Sequence, residues 1–359
     1  EKAPEQLGMT PATYRKGGKG AEITYAIADC PLGRLLVGAF EPVAKPFGME
    51  GLPTDRPFMH LDEDWEHLAP VYEAACERVP ALSDVGIRLF FNGPESFTPD
   101  DRYLLGETPE VRNHWVATGF NSVGMQSAGG AGKVLAEWIV NGRPPMDLWD
   151  VDVRRMQPFQ TNRRYLHDRS VEALGLLYAM HWPFRQPETA RGIRRTPLYH
   201  EMKEANACFG EAGGWERPNF FAPKGVTPEY DYSFKKTKWL EYSGVEHKAI
   251  RENVGLIDIS TFSKFILQGR DAEKVINNVS ANNMSVDPGS MVYTQWLNHQ
   301  GGITADVTVT RMEEDSYMVL TSYACHTHDF HWLKDNIGST DHATLTDVTA
   351  AHAGINIQG

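Results

Sequence analysis

The chain has 359 residues, of which 41% are hydrophobic, 23% charged and 11% aromatic, and its formal net charge is −12. The length predicts two or three domains, and the composition is that of a globular protein rather than a disordered or fibrous one. An excess of acidic residues repels phosphate backbones and anionic lipids, so the sequence argues against a nucleic-acid partner. No apolar run approaches the ~20 residues of a membrane span, so none is predicted.

The four cysteines, Cys30, Cys76, Cys208 and Cys325, are widely separated, and no CxxC pair occurs. This spacing supports neither a disulfide framework nor a zinc module, so we predict a reducing compartment and no bound metal. The run CHTHDFH from Cys325 to His331 has H-x-H-x-x-H spacing, but zinc needs converging ligands. We favour the start of a helix here, which would point these side chains in different directions.

The first 150 residues mix strands and helices. Strands are predicted where short apolar runs meet turn residues, and helices where apolar residues recur every three to four positions. The second strand is expected to end at Gly93 and Pro94, and the second helix at Gly142. We predict a buried strand at residues 34–40, further strands at 86–92 and 114–120, and helices at 62–78 and 127–141, the latter with Val134, Leu135, Trp138 and Ile139 inward.

The rest of the chain is also predicted to contain both strands and helices, apart from two segments. Residues 213–223 and 228–239 are rich in Gly, Pro and aromatic residues without a period, which indicates a domain boundary or an ordered surface segment. Elsewhere we predict helices at 163–180 (with Tyr178 inward), 198–209, 243–254 (capped by Ser243) and 272–279, and strands at 256–259, 262–268, 291–297, 303–311 and 317–321. The strands at 291–297 and 303–311 are predicted to form a hairpin.

The predicted strand at 114–120, the turn after it and the helix from residue 127 form the most informative unit of the first part. A glycine turn lets backbone approach a ligand, and a helix start offers unpaired N–H groups at the positive end of the helix dipole. This arrangement suits a ligand atom that carries or develops negative charge. The alternative is that Gly124, Gly129, Gly130 and Gly132 only allow close packing between strand and helix.

A dinucleotide-binding sheet should begin with GxGxxG between its first strand and helix. The glycine cluster KGGKG at residues 16–20 has neither this spacing nor an apolar strand before it. If the first part binds a dinucleotide, we expect the half that holds the phosphates to lie outside this chain.

Five sequence runs together resemble one family. NGPESFTPDDRYLLGETPEV (92–111) and GFNSVGMQSAGGAGKVLAEWIVNGRPPMDLWDVDVRR (119–155) resemble the end of the flavin domain in the dimethylglycine and sarcosine dehydrogenases. GWERPNFFAP (214–223), LIDISTFSKFILQG (256–269) and YTQWLNHQGGITADVTVTR (293–311) resemble the folate-binding portion fused behind it, which is also similar to the glycine-cleavage aminomethyltransferase. The resemblance covers about residues 32–359 and implies an internal fragment, truncated at both ends.

This resemblance implies a multi-domain α+β or α/β fold. Residues 1–147 would be the C-terminal part of an FAD-dependent amine oxidase domain of the glutathione-reductase-like type, and residues 148–210 a central or linker domain. Residues 211–359 would be the N-terminal part of an aminomethyltransferase-like, folate-binding domain.

The implied activity is oxidative demethylation of a small N-methylated amino acid by an FAD enzyme, with transfer of the one-carbon unit to tetrahydrofolate. The dimethylglycine type is preferred over the sarcosine type, and oxygen or an electron-transfer flavoprotein would accept the electrons. The expected compartment is the bacterial cytoplasm or the mitochondrial matrix, and this chain alone is expected to bind flavin weakly and to be inactive. The alternatives are a folate-binding aminomethyltransferase-like protein whose flavin part is only a scaffold, and a binding module without oxidase chemistry.

By the same resemblance, the loop of Ser122, Val123, Gly124, Met125 and Gln126 matches the family segment that lies against the flavin ring and ribityl chain. Its backbone N–H groups would stabilise the anionic reduced flavin. The family also supplies a substrate-side tyrosine; Tyr25 and Tyr14 compete for this role, so the amine-binding residues stay unassigned.

On the folate side, Tyr293 and Asp306 match positions that line the pterin-side cavity, with Thr294 beside Tyr293. The predicted hairpin joins their strands, so their side chains can meet on one face of the sheet. The Asp306 carboxylate would direct the folate amine onto an iminium carbon and handle its proton, which makes it the candidate catalytic residue. The alternative for Asp306 is a solvated strand residue.

Overall fold

The computed structural model describes residues 20–30, 33–39, 43–55, 59–182 and 184–359. They form two compact units of mixed α/β structure, which confirms the predicted fold class. The first unit contains the described residues of Glu1–Thr108, Asn113–Val153 and Gln160–Ala190, and the second those of Pro109–Arg112, Arg154–Phe159 and Arg191–Gly359. The predicted domain boundaries after residues 147 and 210 stay predictions.

A three-stranded antiparallel sheet in the order β2-β1-β3 belongs to the first unit. Its strands are β1 (Gly20–Cys30), β2 (Gly33–Ala39) and β3 (Ile87–Ser96). The strand predicted at 86–92 is confirmed, but it continues past Gly93 and Pro94. The physical reason is that β3 is an edge strand, which tolerates a proline because one of its sides needs no hydrogen-bond donor.

Helix α1 (Trp65–Arg78) begins at the N-cap Asp64, whose carboxylate accepts a hydrogen bond from the His67 amide. Its Leu68 is buried and packs with Phe90 of β3, which ties the helix to the sheet. The prediction that residues 34–40 form a buried strand is only half right. Val37 is 9% exposed and Leu36 64% exposed, because successive strand residues face opposite sides.

The hairpin of β4 (Leu104–Glu107) and β5 (Trp115–Thr118) leads into helix α2 (Gly124–Asn141). The predicted end of α2 is confirmed, since Gly142 has the left-handed φ of 68° that ends many helices. Trp138 of α2 is buried and packs edge-on against Trp115. The inward placement of Ile139 is wrong, because this side chain is 49% exposed.

Helix α3 (Arg163–Leu177) completes the first unit. It stops three residues before the predicted end at residue 180. Leu174 is buried as predicted, but Tyr178 follows the helix and is 48% exposed, so its inward placement is wrong.

The second unit begins with helix α4 (Tyr199–Glu204) and the hairpin of β6 (Ala207–Ala212) and β7 (Trp215–Phe221). The predicted helix at 198–209 is therefore too long, and the segment at 213–223 is a regular strand rather than aperiodic structure. Gly213 and Gly214 both have positive φ, of 58° and 78°. A two-residue turn of this kind matches the twist of a β-hairpin and is easiest for glycine.

The remaining elements for which the sequence makes a prediction agree closely with it, whereas the last two strands of the chain were not predicted. Helix α5 (Trp239–Glu252) is the exception, because it begins before Ser243, which is therefore not its cap. The other elements are β8 (Gly255–Asp258), β9 (Ser263–Gln268), α6 (Ala272–Val279), β10 (Met291–Leu297), β11 (Ile303–Glu313), β12 (Ser316–Thr321), α7 (His326–Asp335), β13 (Thr344–Asp347) and β14 (Ile355–Gln358).

The antiparallel sheet β10-β11-β12-β9-β13 carries the main core of the second unit, while β8 pairs separately with β14. The core lies between one face of this sheet and the helices α6 and α7. Its fully buried side chains include Phe265, Ile276, Trp296, Tyr317 and Leu333. The opposite face of β10 and β11 presents two of the predicted folate-side residues, Tyr293 and Asp306.

Within the described part of the chain, no helix has both the length and the apolar character needed to cross a membrane. Cys76, Cys208 and Cys325 are free thiols. Burial raises the pKa of Cys208 and of Cys325 to about 11, so both are unreactive thiols at neutral pH.

Candidate functional site

The flavin-side residues lie in the bend between β5 and α2. Three residues of this bend have positive φ: Gly119 at 66°, Asn121 at 46° and Ser122 at 62°. Such angles are uncommon outside glycine and disfavour a regular strand or helix. The chain therefore reverses sharply here, so that the first turn of α2 begins directly after the bend.

Helix α2 begins at Gly124 rather than at the predicted Ser127, so Gly124, Met125 and Gln126 form its first turn. The amide of Ser127 donates to the Val123 carbonyl, which is the first bond of the helix. The amides of residues 124–126 precede that bond and have no acceptor within the helix. No side chain of the described residues caps them, because Val123 occupies the N-cap position.

This helix start is open to a ligand. Met125 is 75% exposed, Gln126 is also exposed, and Ser122, Val123 and Gly124 are partly buried. The Ser122 hydroxyl donates to the Glu95 carboxylate of β3, which attaches the bend to the sheet. Uncapped amides at the positive end of an 18-residue helix provide a site for a group with negative charge.

The glycines inside α2 do not explain why the helix begins where it does. Gly129, Gly130 and Gly132 lie inside the helix, and a Cβ built on any of them would meet no atom within 4 Å. Among the described residues these three glycines are therefore neither part of a turn nor points of close packing, whereas a Cβ on Gly124 would lie 3.4 Å from Phe120 Cβ, so close packing at that glycine stays an alternative. Only Gly124, at the helix start, belongs to the bend.

The folate-side residues Tyr293 and Asp306 meet on one face of the β10–β11 hairpin. The Tyr293 hydroxyl donates a hydrogen bond to the Asp306 carboxylate over 2.7 Å. Both side chains are exposed, Tyr293 by 59%. The hydrogen bond to Asp306 raises the pKa of Tyr293, so the phenol stays protonated and continues to donate.

Thr294 does not join them. It is fully buried on the core face, where its hydroxyl accepts a hydrogen bond from the Asn282 amide. Gln295, two residues after Tyr293, lies instead on the same face and pairs directly opposite Asp306. Sequence analysis missed Gln295, although the two-residue alternation of a strand contains the signal.

The histidines of the CHTHDFH segment lie on α7 and contact different partners, as the predicted helix requires. His326 contacts the Ser263 hydroxyl at 2.9 Å and Asp347 at 3.4 Å, while His328 contacts Asp329. Across the described ranges, no group of three or more His, Cys, Asp or Glu side chains could hold a metal ion.

Asp101, in the turn after β3, is a partly buried residue whose carboxyl Oδ1 atom is shielded from solvent. No described residue bonds its Oδ1 atom. Burial, with the neighbouring Asp100 charge, raises the pKa of Asp101 from 3.8 to about 7. Because the folded protein holds this proton more tightly than the unfolded chain, the contribution of Asp101 to stability is complete below about pH 4 and is lost as pH rises through 7.

We therefore expect Asp101→Asn to stabilise the protein at pH 8 by at most about 4 kcal/mol, and by less at pH 5. Asparagine also tolerates the left-handed φ of 56° at this position. Urea unfolding at both pH values measures the change, with Asp84→Asn at an exposed site as the control. An equal effect of Asp101→Asn at pH 5 and pH 8 would contradict the assignment of a buried, protonated carboxyl.

Three family models match consecutive parts of the chain. "FAD dependent oxidoreductase" matches residues 7–138, "FAD dependent oxidoreductase central domain" residues 141–196, and "GCVT N-terminal domain" residues 198–359. The flavin-side bend lies in the first match and the β10–β11 hairpin in the third.

Similar proteins cover the whole of this arrangement. The 4-methylaminobutanoate oxidase (formaldehyde-forming) of Paenarthrobacter nicotinovorans is 42% identical over 95% of this chain and 43% of its own length. The mitochondrial pyruvate dehydrogenase phosphatase regulatory subunit of Mus musculus is 33% identical over 91% of this chain and 38% of its own length. Human mitochondrial sarcosine dehydrogenase is 38% identical over 77% of this chain and 33% of its own length. Human mitochondrial dimethylglycine dehydrogenase is 31% identical over 80% of this chain and 32% of its own length.

The chain thus spans less than half the length of these relatives. The order of the matched models defines its class, an FAD-dependent oxidoreductase domain and its central domain followed by a GCVT domain. The chain is similar to human sarcosine and dimethylglycine dehydrogenases over 77% and 80% of its own length, and this similarity confirms the resemblance found in the sequence.

Proposed function

We propose that the protein is an FAD-dependent enzyme that oxidatively demethylates a small N-methylated amino acid and transfers the one-carbon unit to tetrahydrofolate. The observation that carries this proposal is the uncapped, exposed start of α2 within the part that matches an FAD-dependent oxidoreductase. The Tyr293–Asp306 pair in the part that matches a GCVT domain supports the second half of the reaction.

The flavin-side residues fit the proposed cofactor. Bound FAD would accept the two electrons that leave the substrate's N-methyl group. The amides of Gly124, Met125 and Gln126 would then lie against the negative charge that develops, and aligned N–H groups stabilise such charge without reorganisation. The hydrogen bond from Ser122 to Glu95 holds this turn against β3.

The folate-side residues fit a reaction between an amine and an electrophilic carbon. Oxidation of the N-methyl group leaves an iminium carbon on the substrate, which water converts to formaldehyde or a folate amine captures. Asp306 would accept the proton that the attacking folate nitrogen loses, and the hydroxyl of Tyr293 orients this carboxylate. Thr294 is proposed only as a support, because its side chain faces the core.

The substrate is proposed as a class rather than as one compound. The prediction of a dimethylglycine type gains no support from the identities, since human sarcosine dehydrogenase is 38% and human dimethylglycine dehydrogenase 31% identical. A 4-methylamino acid is an equal candidate, because the oxidase of that name is 42% identical. We propose oxygen or an electron-transfer flavoprotein as electron acceptor, and the bacterial cytoplasm or mitochondrial matrix as compartment.

Anaerobic addition of an amine to the full-length gene product carrying FAD tests the oxidation. We expect sarcosine, dimethylglycine or 4-methylaminobutanoate to bleach the yellow absorption of the oxidised flavin. Glycine, which lacks the methyl group, is the matched control and should leave the spectrum unchanged. Failure of every N-methylated amine to bleach a bound flavin would refute the proposed oxidation. We also expect the 359-residue chain alone to lose FAD on gel filtration.

The second candidate is a folate-binding protein whose flavin part is only a scaffold. It is favoured by one relative that is named a regulatory subunit rather than an oxidase, at 33% identity. This candidate predicts tetrahydrofolate binding without bleaching by any amine, so the same experiment separates the two.

A further inference from the structure

Besides the bond from Ser122 to Glu95, the bend before α2 is held by contacts with Thr98 in the loop after β3. The Thr98 amide donates to Asn121 Oδ1 over 2.7 Å, and Asn121 Nδ2 donates to the Thr98 hydroxyl over 3.0 Å. Thr98 and Asn121 are 4% and 1% exposed, so this two-way contact is shielded from water. Bonds of this kind are strong because a buried polar group that loses its partner is costly.

Two further contacts act at the same point. The Asn121 amide donates to the Ser96 carbonyl at the end of β3 over 3.1 Å. A Cβ added to Gly119 would lie 2.7 Å from Thr98 Cγ2, so only glycine allows the bend to approach Thr98 this closely. The hydroxyl of Thr98 in turn donates to the Arg102 carbonyl, which fixes its own orientation.

These contacts maintain a backbone that would otherwise relax. Asn121 and Ser122 both have left-handed φ, which a non-glycine residue keeps only where its surroundings demand it. The conformation of Asn121 and Ser122 determines where Val123 lies and hence where the amides of residues 124–126 point. The side chain of Asn121 itself faces Thr98 and not the open helix start.

We propose that Asn121, through Thr98, is a positioning residue that aims the first-turn amides of α2 at the flavin and so raises its reduction potential. This inference rests on the proposed function. Misdirected amides would stabilise the oxidised and reduced forms more equally, because their effect depends on alignment with the developing charge. Neither residue touches the reacting atoms.

The test compares the two-electron reduction potential of the bound flavin in three variants of the full-length gene product. Asn121→Gly removes the side-chain bonds but accepts the left-handed φ without strain, so it separates positioning from folding. Thr98→Val removes only the hydroxyl. Asn113→Gly is the matched control, since Asn113 also has a positive φ of 61° but lies exposed in the β4–β5 turn.

We expect Asn121→Gly to weaken the preference for reduced flavin about tenfold, equal to a fall of about 30 mV. Thr98→Val should give a smaller fall, and Asn113→Gly the wild-type potential. Wild-type potentials in both Asn121→Gly and Thr98→Val, with bleaching by amine intact, would overturn this inference and leave the proposed function standing. If Asn121→Gly does not fold, Thr98→Val decides alone. A wild-type protein whose flavin no amine bleaches would instead overturn the proposed function, and this inference with it.

Discussion

Replacing Asp306 with alanine in the full-length gene product should lower folate-dependent product formation by about 100-fold or more, the usual contribution of a positioned acid or base. Amine oxidation with an artificial electron acceptor should keep nearly its full rate. The reason for this split is that Asp306 and Tyr293 lie in the GCVT part of the chain, whereas the flavin-side bend lies in the oxidoreductase part. Parallel assays of flavin-coupled dye reduction and of 5,10-methylenetetrahydrofolate formation measure the two rates.

A graded variant and a control make the test specific. Tyr293→Phe removes the 2.7 Å hydrogen bond but keeps the carboxylate, so it should reduce product formation less than Asp306→Ala does. Asp315→Ala removes an exposed carboxylate from the other hairpin of the same sheet and should leave both rates unchanged. An equal loss of oxidation and of folate product in Asp306→Ala would mean that this carboxylate does not act at the folate step.

Replacing Glu216 with glutamine should destabilise the protein by about 3 kcal/mol, the lower end of the range found when one partner of a buried ion pair is removed, because the Arg191 side chain is 30% exposed. Glu216 is 3% exposed and accepts hydrogen bonds from Arg191 Nε over 2.8 Å and Nη2 over 2.5 Å. The Gly192 amide donates to the same carboxylate over 2.6 Å. The bond to Glu216 raises the pKa of Arg191. Without that bond the guanidinium still stays charged, because the ordinary pKa of arginine lies far above neutral pH.

Urea unfolding followed by tryptophan fluorescence measures this change, since Trp215 adjoins Glu216. The control is Glu241→Gln, which breaks the exposed pair of Lys236 and Glu241, with side chains 65% and 71% exposed. Exposed pairs contribute at most about 1 kcal/mol, so the control should change little. A Glu216→Gln variant as stable as this control would show that the buried pair does not hold the second unit together.

In the second unit, the strands β10, β11 and β12 and the helix α6 were predictable because their local signals agree with their burial. Strands β10, β11 and β12 alternate between core and open face, and α6 presents Val275, Ile276 and Val279 to one side. The β6–β7 hairpin was missed because its strands contain Gly210 and Pro218, which sequence rules treat as interruptions. Their pairing depends on the partner strand and not on local preference.

The start of α2 was misplaced for a related reason. Ser127 is a favourable N-cap residue, so the sequence favours a start there. The observed N-cap is Val123, whose side chain cannot accept a hydrogen bond from the first-turn amides. Contacts of Asn121 and Ser122 with β3 and Thr98, distant in sequence, impose this unfavourable cap. The departure from capping rules lies at the proposed flavin site, where a ligand would take the place of a cap.

The meeting of Tyr293 and Asp306 could be predicted because a hairpin register needs only the turn and the strand period. Thr294 was grouped with them because it follows Tyr293 in the sequence. Since successive strand residues face opposite sides of a sheet, Thr294 lies on the core face instead. The amine-binding tyrosine could not be assigned. Tyr14 and the side chain of Tyr25 lie outside the described residues.

The three exposed glycines inside α2 make its first half a poor helix by itself. Each glycine lowers helix stability by about 1 kcal/mol relative to alanine, and a Cβ on Gly129, Gly130 or Gly132 would meet no atom of the described residues within 4 Å. Packing is concentrated further along, where Trp138 is buried. The amides that open α2 therefore belong to its most easily frayed portion, so a molecule that binds them would also order that turn, and affinity and local rigidity would rise together.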